Sequence, residues 1–331
     1  MKIRKRSSLV RYYAGPEHPI DKTSPEYQFL DAVCRQDLDE VRRIFFDRKL
    51  FGDEKSAVDA PYGRFTGIDG ICDFTQHFNE RFGAESSFLV PAVQTIANGR
   101  ACLEYDVNFV IDGMIEQVPM IAVADLRTQD TLDEIRIYCH HTYVPGLQAY
   151  RKPIFKSAHL EMGDPDLLTG AVREYYAGLH HMPHADVDRI LKCISPDCKL
   201  GGYAPSEGER DNGGHEDLEA FYKGAATYIP WCVAMRYETI TDNGKTCVLE
   251  WVHVISKEGQ QRFDRIAISG IAAYERGDDG LLCGIRICDY AGYERTIDWK
   301  KLPTTKKEAQ EINFVDTFPT GCGRKKQEDF A

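Results

Sequence analysis

The apolar positions of this chain change period several times, and the changes mark out its elements. From Pro25 to Arg35, Leu38 to Phe46 and Ile68 to Arg81 they recur at helical spacing, which predicts three helices. From Phe88 to Tyr138 the pattern turns β-branched and aromatic, which predicts strands. The same succession then runs again. Leu168 to Leu179, Val187 to Ile194 and Gly214 to Ala225 read as helices, the second of them broken by Ser195-Pro196-Asp197. Val233 to Thr241, Thr246 to Ser256, Arg262 to Tyr274 and Leu282 to Tyr290 read as strands, joined by turns at Asn243-Gly244, Glu258-Gly259 and Asp279-Gly280. Helices followed by a meander of antiparallel strands predict an α+β fold, with helices on one face of a curved sheet.

The repetition is also visible residue by residue. Gly67 to Phe74 matches Gly214 to Phe221, and Glu134 to Cys139 matches Gly284 to Asp289. Between them, Ala97 to Tyr105 matches Asp242 to Trp251, with an Asn-Gly turn in each and one residue inserted after a shared cysteine. Three blocks in one order, at an offset of about 145 to 150 residues, predict two copies of one domain. The expected organisation is an N-terminal arm over 1–23, a first domain over 24–150, a linker over 151–166, a second domain over 167–302 and a tail over 303–331.

Composition agrees with this and removes other classes. The chain has 331 residues, 43% of them hydrophobic, about twice the commonest domain size. Its 41 Lys and Arg against 52 Asp and Glu leave a formal charge of −11, which disfavours a nucleic-acid partner. The basic start, Lys2 to Arg6, is not followed by the apolar core of a secretion signal, and no run of apolar residues is long enough for a membrane span. A soluble, cytoplasmic protein is expected. The 11 cysteines are scattered without a CxxC pair, and they read as small buried hydrophobes rather than a disulfide framework.

The run Arg173-Glu174-Tyr175-Tyr176-Ala177-Gly178-Leu179, then Val187 to Leu191, Ser195-Pro196-Asp197, Gly214 to Phe221 and the closing Ile285-Arg286, resembles the SnoaL-like branch of the nuclear-transport-factor-2-like superfamily. The resemblance covers roughly residues 24 to 150 and again 165 to 300. It implies two tandem cone-shaped domains, each of three helices packed on a strongly curved, mostly antiparallel sheet around a deep pocket. Members of that superfamily include polyketide cyclases, ketosteroid isomerases and dehydratases, together with domains that catalyse nothing, so the fold alone does not choose the function. The resemblance also implies pairing of the two domains within the chain as a pseudo-dimer, with homo-oligomerisation left open.

In dehydratase-like members the first helix carries a Tyr and, five residues on, an Asp facing the pocket. The second copy has Tyr175 and His180 at these places, whereas the first has Phe29 and Cys34. An imidazole is a competent proton acceptor at neutral pH. Alternation along Cys247 to Ile255 sets His253 on one face with Leu249, Trp251 and Ile255, where burial would keep the ring neutral. Asp264 shares a face with Ile266, Ile268 and Tyr274, where its carboxyl could act as an acid. Each residue also has a structural reading: Tyr175 as helix core, His180 as a helix end, His253 as a core histidine, and Asp264 as a surface partner of Arg262 and Arg265. Tyr203, Tyr222 and Trp231 are candidate pocket walls beside Trp251; Tyr138 and His140 are candidates at a pocket mouth or interface of the first copy.

His180-His181-Met182-Pro183-His184 resembles a metal cluster, but Pro183 breaks the helix that would align the rings, and no metal site is expected. Without a glycine-rich phosphate loop or nucleophile elbow, no cofactor is expected either. The leading expectation is a cofactor-independent lyase or isomerase acting on a cyclic, apolar small molecule in the second domain. Tyr175, His180, His253 and Asp264 would be its catalytic residues. The alternative is a non-catalytic small-molecule-binding or assembly module built as an internal pseudo-dimer.

Overall fold

The computed structural model describes residues 2–4, 19–45, 56–60, 63–139, 167–179, 185–202, 212–213, 215–225, 232–256 and 265–292. The chain divides into two units, the first holding the described residues up to Cys139 and the second those from Leu167 onward. In the first unit the elements are β1 (Lys2–Arg4), α1 (Pro25–Arg35), α2 (Leu38–Ile44), β2 (Ala57–Ala60), β3 (Gly63–Thr66), α3 (Gly67–Arg81), β4 (Ser86–Ala97), β5 (Arg100–Ile111), β6 (Met114–Leu126) and β7 (Leu132–Cys139). In the second they are α4 (Gly170–Leu179), α5 (Val187–Lys192), β8 (Ile194–Gly202), β9 (Asn212–Gly213), α6 (His215–Ala225), β10 (Cys232–Asp242), β11 (Thr246–Ser256), β12 (Arg265–Arg276) and β13 (Leu282–Gly292).

Local chemistry explains most of these bounds. Pro25 opens α1, where its missing N–H costs nothing, and Gln36 closes it in the left-handed region at φ 56°. Asp37 caps α2 by accepting from Glu40 N at 3.1 Å, and Asp186 caps α5 by accepting from Arg189 N at 3.0 Å. Asn98 and Gly99 take φ 51° and 73°, the pair of positive angles that a tight hairpin between β4 and β5 requires.

The first sheet runs β3-β2-β7-β6-β5-β4, and β1 pairs in parallel with Met114 to Glu116 of β6. The second sheet runs β9-β8-β13-β12-β11-β10, the same path strand for strand. Each path is antiparallel except at one step, β2 with β7 and β8 with β13. In both units the three helices pack on one face of the sheet and build one core: Phe29, Val33, Ile71 and Phe74 with Leu103, Tyr105 and Ile135 in the first, Val172, Tyr175, Ile190 and Leu218 with Leu249, Trp251 and Ile285 in the second. Each unit is thus an α+β fold of three helices on a mostly antiparallel sheet.

Three details differ from the sequence reading. The strands β2, β3, β8 and β9 are not anticipated: β2, β3 and β9 are two to four residues long and carry almost no periodic signal, and the nine-residue β8 is interrupted by Pro196. Ser195-Pro196-Asp197 does end a helix, but it lies inside β8. The register steps from Ile194 opposite Leu282 to Lys199 opposite Gly284, so these residues occupy a bulge, where a proline's missing donor is tolerated. The inserted residue also disappears. Ala101 stands opposite Ala124, and Cys247 opposite Tyr274, while Ala124 and Tyr274 face Ile135 and Ile285. Ile96 faces Ala101 as Asp242 faces Cys247, so the β4–β5 and β10–β11 hairpins have equal length, and Leu103, Glu104 and Tyr105 correspond to Leu249, Glu250 and Trp251.

The helix pairs show the same correspondence. Asp37 N donates to Ala32 O at 2.9 Å, and Asp186 N donates to Gly178 O at the same distance. A Cβ on Gly178 would lie 2.9 Å from Ile190 Cγ1, 3.1 Å from Asp186 O and 3.2 Å from Ile190 N. In the first unit these places hold Ala32 and, four residues past the cap, the smaller Val41, both fully buried. Glycine thus makes room for isoleucine, and alanine goes with valine. Gly178→Ala should destabilise the protein by about 1–3 kcal/mol despite a helix-propensity gain of about 1 kcal/mol, because two of the three crowded atoms are backbone. Adding Ile190→Val, which removes Cδ1 but leaves a γ carbon and both backbone atoms in place, should restore little of that loss in urea titrations; near-full recovery would show that the isoleucine side chain, not the backbone, sets the crowding.

Candidate active site in the second unit

The interior of the second unit is organised by tyrosines. Adjacent positions on α4 place Tyr175 and Tyr176 about 100° apart around the helix, so they reach different partners. The Tyr175 hydroxyl is 2.8 Å from that of Tyr222 on α6, and the Tyr176 hydroxyl is 2.8 Å from that of Tyr274 on β12. All four side chains are buried. The Tyr175 ring centroid lies 5.6 Å from Tyr176, 5.9 Å from Tyr222 and 5.2 Å from Tyr274, so the rings pack as one cluster with the hydroxyls paired across it.

Burial pushes the phenols of Tyr222 and Tyr274 well above the ordinary tyrosine value, and their tyrosine neighbours, Tyr175 and Tyr176, push in the same direction. Both therefore keep their protons at neutral pH. A neutral phenol pair in an apolar core can donate to an oxygen that is gaining charge, and it cannot serve as a base.

Among the described residues the first unit has no such cluster. Phe29 and Leu30 occupy the α1 places that match Tyr175 and Tyr176, Thr75 matches Tyr222, and Ala124 matches Tyr274. Phenylalanine rings pack this interior instead: Phe65, Phe74, Phe78, Phe82 and Phe109 form a continuous run with centroids 4.3 to 5.7 Å apart. Cys34, at the place that matches His180, is buried, and desolvation pushes its thiol up to about 12, so it moves no proton near neutrality. One ionisable group does enter this core region. Glu26 on α1 is fully buried, Gln94 Nε2 donates to its Oε1 at 2.5 Å, and burial raises its pKa against the lowering effect of that hydrogen bond.

The sequence-derived candidates distribute as follows. Tyr175 and Tyr222 come together directly, and Trp251 joins the same core on β11. His253 lies two residues further along β11, opposite Met235 and Ile268. Tyr138 is buried on β7 beside core residues Ile137 and Cys139, and alternation turns it to the sheet face away from the helices. His180, Asp264, Tyr203, Trp231 and His140 lie outside the described residues, as do the 151–166 linker and the 303–331 tail. Tyr176 and Tyr274 were missed as site residues. The doubled tyrosine on one helix was the available signal, but nothing local names the partner that lies 98 residues away.

No family model and no curated relative matches the chain. Among solved structures, a protein with a ketosteroid isomerase-like fold from Catenulispora acidiphila, determined with trimethylamine, aligns at 13% identity over 37% of this chain and 90% of its own, with a TM-score of 0.31. An NTF2-like protein from Cytophaga hutchinsonii aligns at 14% identity over 37% of this chain and 93% of its own, with a TM-score of 0.26. SalBIII, an epoxide hydrolase/cyclase-like enzyme of pyran ring formation, aligns at 13% identity over 37% and 93%, with a TM-score of 0.30. These neighbours are NTF2-like. The alignments with them cover about a third of this chain. Among the described residues, no helix is long and apolar enough to cross a membrane.

Proposed function

We propose that the second unit is a cofactor-independent lyase or isomerase acting on a cyclic, largely apolar small molecule. The observation that carries this reading is the buried Tyr175–Tyr222 hydroxyl pair, with Tyr222 held neutral by burial, which the first unit replaces with Phe29 and Thr75. His180 takes a proton from the carbon next to a carbonyl, and the electron pair moves onto the carbonyl oxygen. Tyr175 donates to that oxygen as it becomes an enolate. His253 or Asp264 returns a proton at a different carbon in an isomerisation, or to a departing hydroxyl in a dehydration. Tyr203, Tyr222, Trp231 and Trp251 supply apolar wall.

A second reading, a non-catalytic small-molecule-binding or assembly module, finds its support in the first unit, whose interior is filled by phenylalanine and whose Cys34 thiol stays protonated. One experiment separates the two. The purified protein is analysed by native mass spectrometry for carried-over ligand, then incubated in D2O with a panel of cyclic ketones and β-hydroxy ketones and followed by NMR. Deuterium entering next to the carbonyl, above the buffer rate, is expected. Binding of panel members with no deuterium entry would overturn the catalytic reading in favour of the binding one.

A further inference from the structure

The start of α1 meets β4 through a polar clasp, at places where the second unit uses hydrocarbon. Gln94 stands opposite Leu103 as Ile240 stands opposite Leu249, and Glu26 lies three residues before Phe29 as Val172 lies three before Tyr175. Val172 and Ile240 both belong to the second unit's apolar core. At the matching places the first unit buries a carboxyl and a carboxamide, Glu26 at 0% exposure and Gln94 at 8%.

Hydrogen bonds fix the orientation of the clasp. Asp21 N donates to Gln94 Oε1 at 2.7 Å, which turns Gln94 Nε2 toward Ser24 Oγ at 2.8 Å and Glu26 Oε1 at 2.5 Å. Ser24 Oγ donates in turn to Asp21 O at 2.7 Å, so this hydroxyl, at the cap position of α1, serves the clasp and makes no cap bond. Glu26 Oε2 is left buried with no hydrogen-bond partner. β4 carries no ionisable residue, and among the described residues no cation on the elements packed against α1 pairs with Glu26. Arg35 is held by Asp31, Arg42 by Asp39, Arg43 by Glu40, and Arg100 and Arg136 by Asp125. Asp21, on the segment that enters α1, acts on Glu26 as a like charge. A buried carboxylate with no counter-ion and one oxygen unpartnered is costly, whereas the neutral acid gives up only one unmade hydrogen bond.

We propose that Glu26 is a proton-binding site that governs how α1 seats on β4: the protonated carboxyl holds the clasp closed, and loss of the proton loosens it. Burial raises this carboxyl above its ordinary value of 4.5, against the lowering effect of the Gln94 and Ser24 hydrogen bonds. Because the folded-state value lies above the unfolded one, folding takes up the proton in the interval between them. The stability that the clasp contributes is therefore complete below 4.5 and is lost as pH rises through the folded-state value.

The test uses the intact protein, labelled with carbon-13 at the glutamate carboxyls and titrated by NMR, with Glu26→Gln assigning the resonance. In parallel, hydrogen exchange read by mass spectrometry and corrected for intrinsic rates follows the peptides spanning 19–35 at about pH 5 and about pH 8. A Glu26 carboxyl titrating above 4.5 is expected, with protection at the start of α1 falling severalfold between the two conditions. Glu26→Gln should hold that protection level. So should Glu26→Val combined with Gln94→Ile, the pair that the second unit carries, which serves if the single substitution does not fold. A carboxyl titrating at or below 4.5, an unchanged protection in the unsubstituted protein, or a fall that both variants retain would overturn the proposal.

Discussion

Removing the Arg136 guanidinium should cost the protein about 3–5 kcal/mol, the largest stability loss expected from any single change considered for this fold. Arg136 on β7 is fully buried, and its Nη1 pairs with Asp125 Oδ2 while lying 3.5 Å from Glu134 Oε1. Arg64 holds Glu134 at 2.6 Å, and Arg100 holds Asp125 at 2.7 Å, so three cations and the two carboxylates form one chain of charge. Arg136→Ala deletes the middle of that chain and leaves each carboxylate with a single cation, Glu134 almost fully enclosed and Asp125 partly exposed. Arg136→Lys should recover only part of the loss, because an ammonium cannot reproduce the planar fork.

The second unit carries the equivalent pair, Arg286 with Glu275 at 3.1 Å, both buried, and places Gly284 where the first has Glu134. A Cβ there would lie 2.8 Å from Arg286 Nη1, so the guanidinium lies over the glycine. Urea titration is the measurement. With a slope of about 2 kcal/mol/M, the Arg136→Ala midpoint should fall by about 2 M. Arg42, half-exposed and paired with an exposed Asp39, is the control, with an expected change below about 1 kcal/mol. Equal effects at the two sites would show that burial of Arg136 contributes nothing.

Loss of the Tyr175 hydroxyl should lower kcat by about 10²–10³-fold on any substrate that shows deuterium entry, with little change in KM. Phenylalanine keeps the ring among Tyr176, Tyr222 and Tyr274, so packing survives, and only the donor to the developing enolate is lost. The natural precedent within the chain is Phe29, which fills the same place in the first unit. His180→Ala should be at least as severe, about 10²–10⁴-fold, because it removes the base rather than a stabilising contact. Tyr274→Phe should matter less, since its hydroxyl pairs with that of Tyr176 rather than with Tyr175. A Tyr175→Phe protein that turns over at an unchanged rate would remove the phenol from the mechanism and leave it as core.

The fold was largely legible because its signals are local. Pro25 and the aspartate caps set the starts of α1, α2 and α5, and the Asn-Gly turn set the β4–β5 hairpin; each acts over a few residues. The bulge in β8 was not legible, because Ser195-Pro196-Asp197 stops a helix whether the chain then loops or pairs. Only β13 alongside decided for a strand. The site shows the same division. That Tyr175 and His180 differ from Phe29 and Cys34 is written in the sequence. That Tyr175 finds Tyr222, and Tyr176 finds Tyr274, depends on pairing across 47 and 98 residues.

The sequence by itself determined that the chain carries one succession of helices and strands twice over, and that its two halves differ at the first helix of each. Capping, turn residues and apolar period suffice for that, because each is set by sterics and hydrogen bonds within a few residues. Only the tertiary structure decided which charges are buried and what pairs with them, and that a glycine at 178 makes room for Ile190. It also decided that four tyrosines share one interior, with phenols held neutral by desolvation at Tyr222 and Tyr274. Those outcomes rest on distances between residues far apart in the chain, and no local pattern encodes a distance.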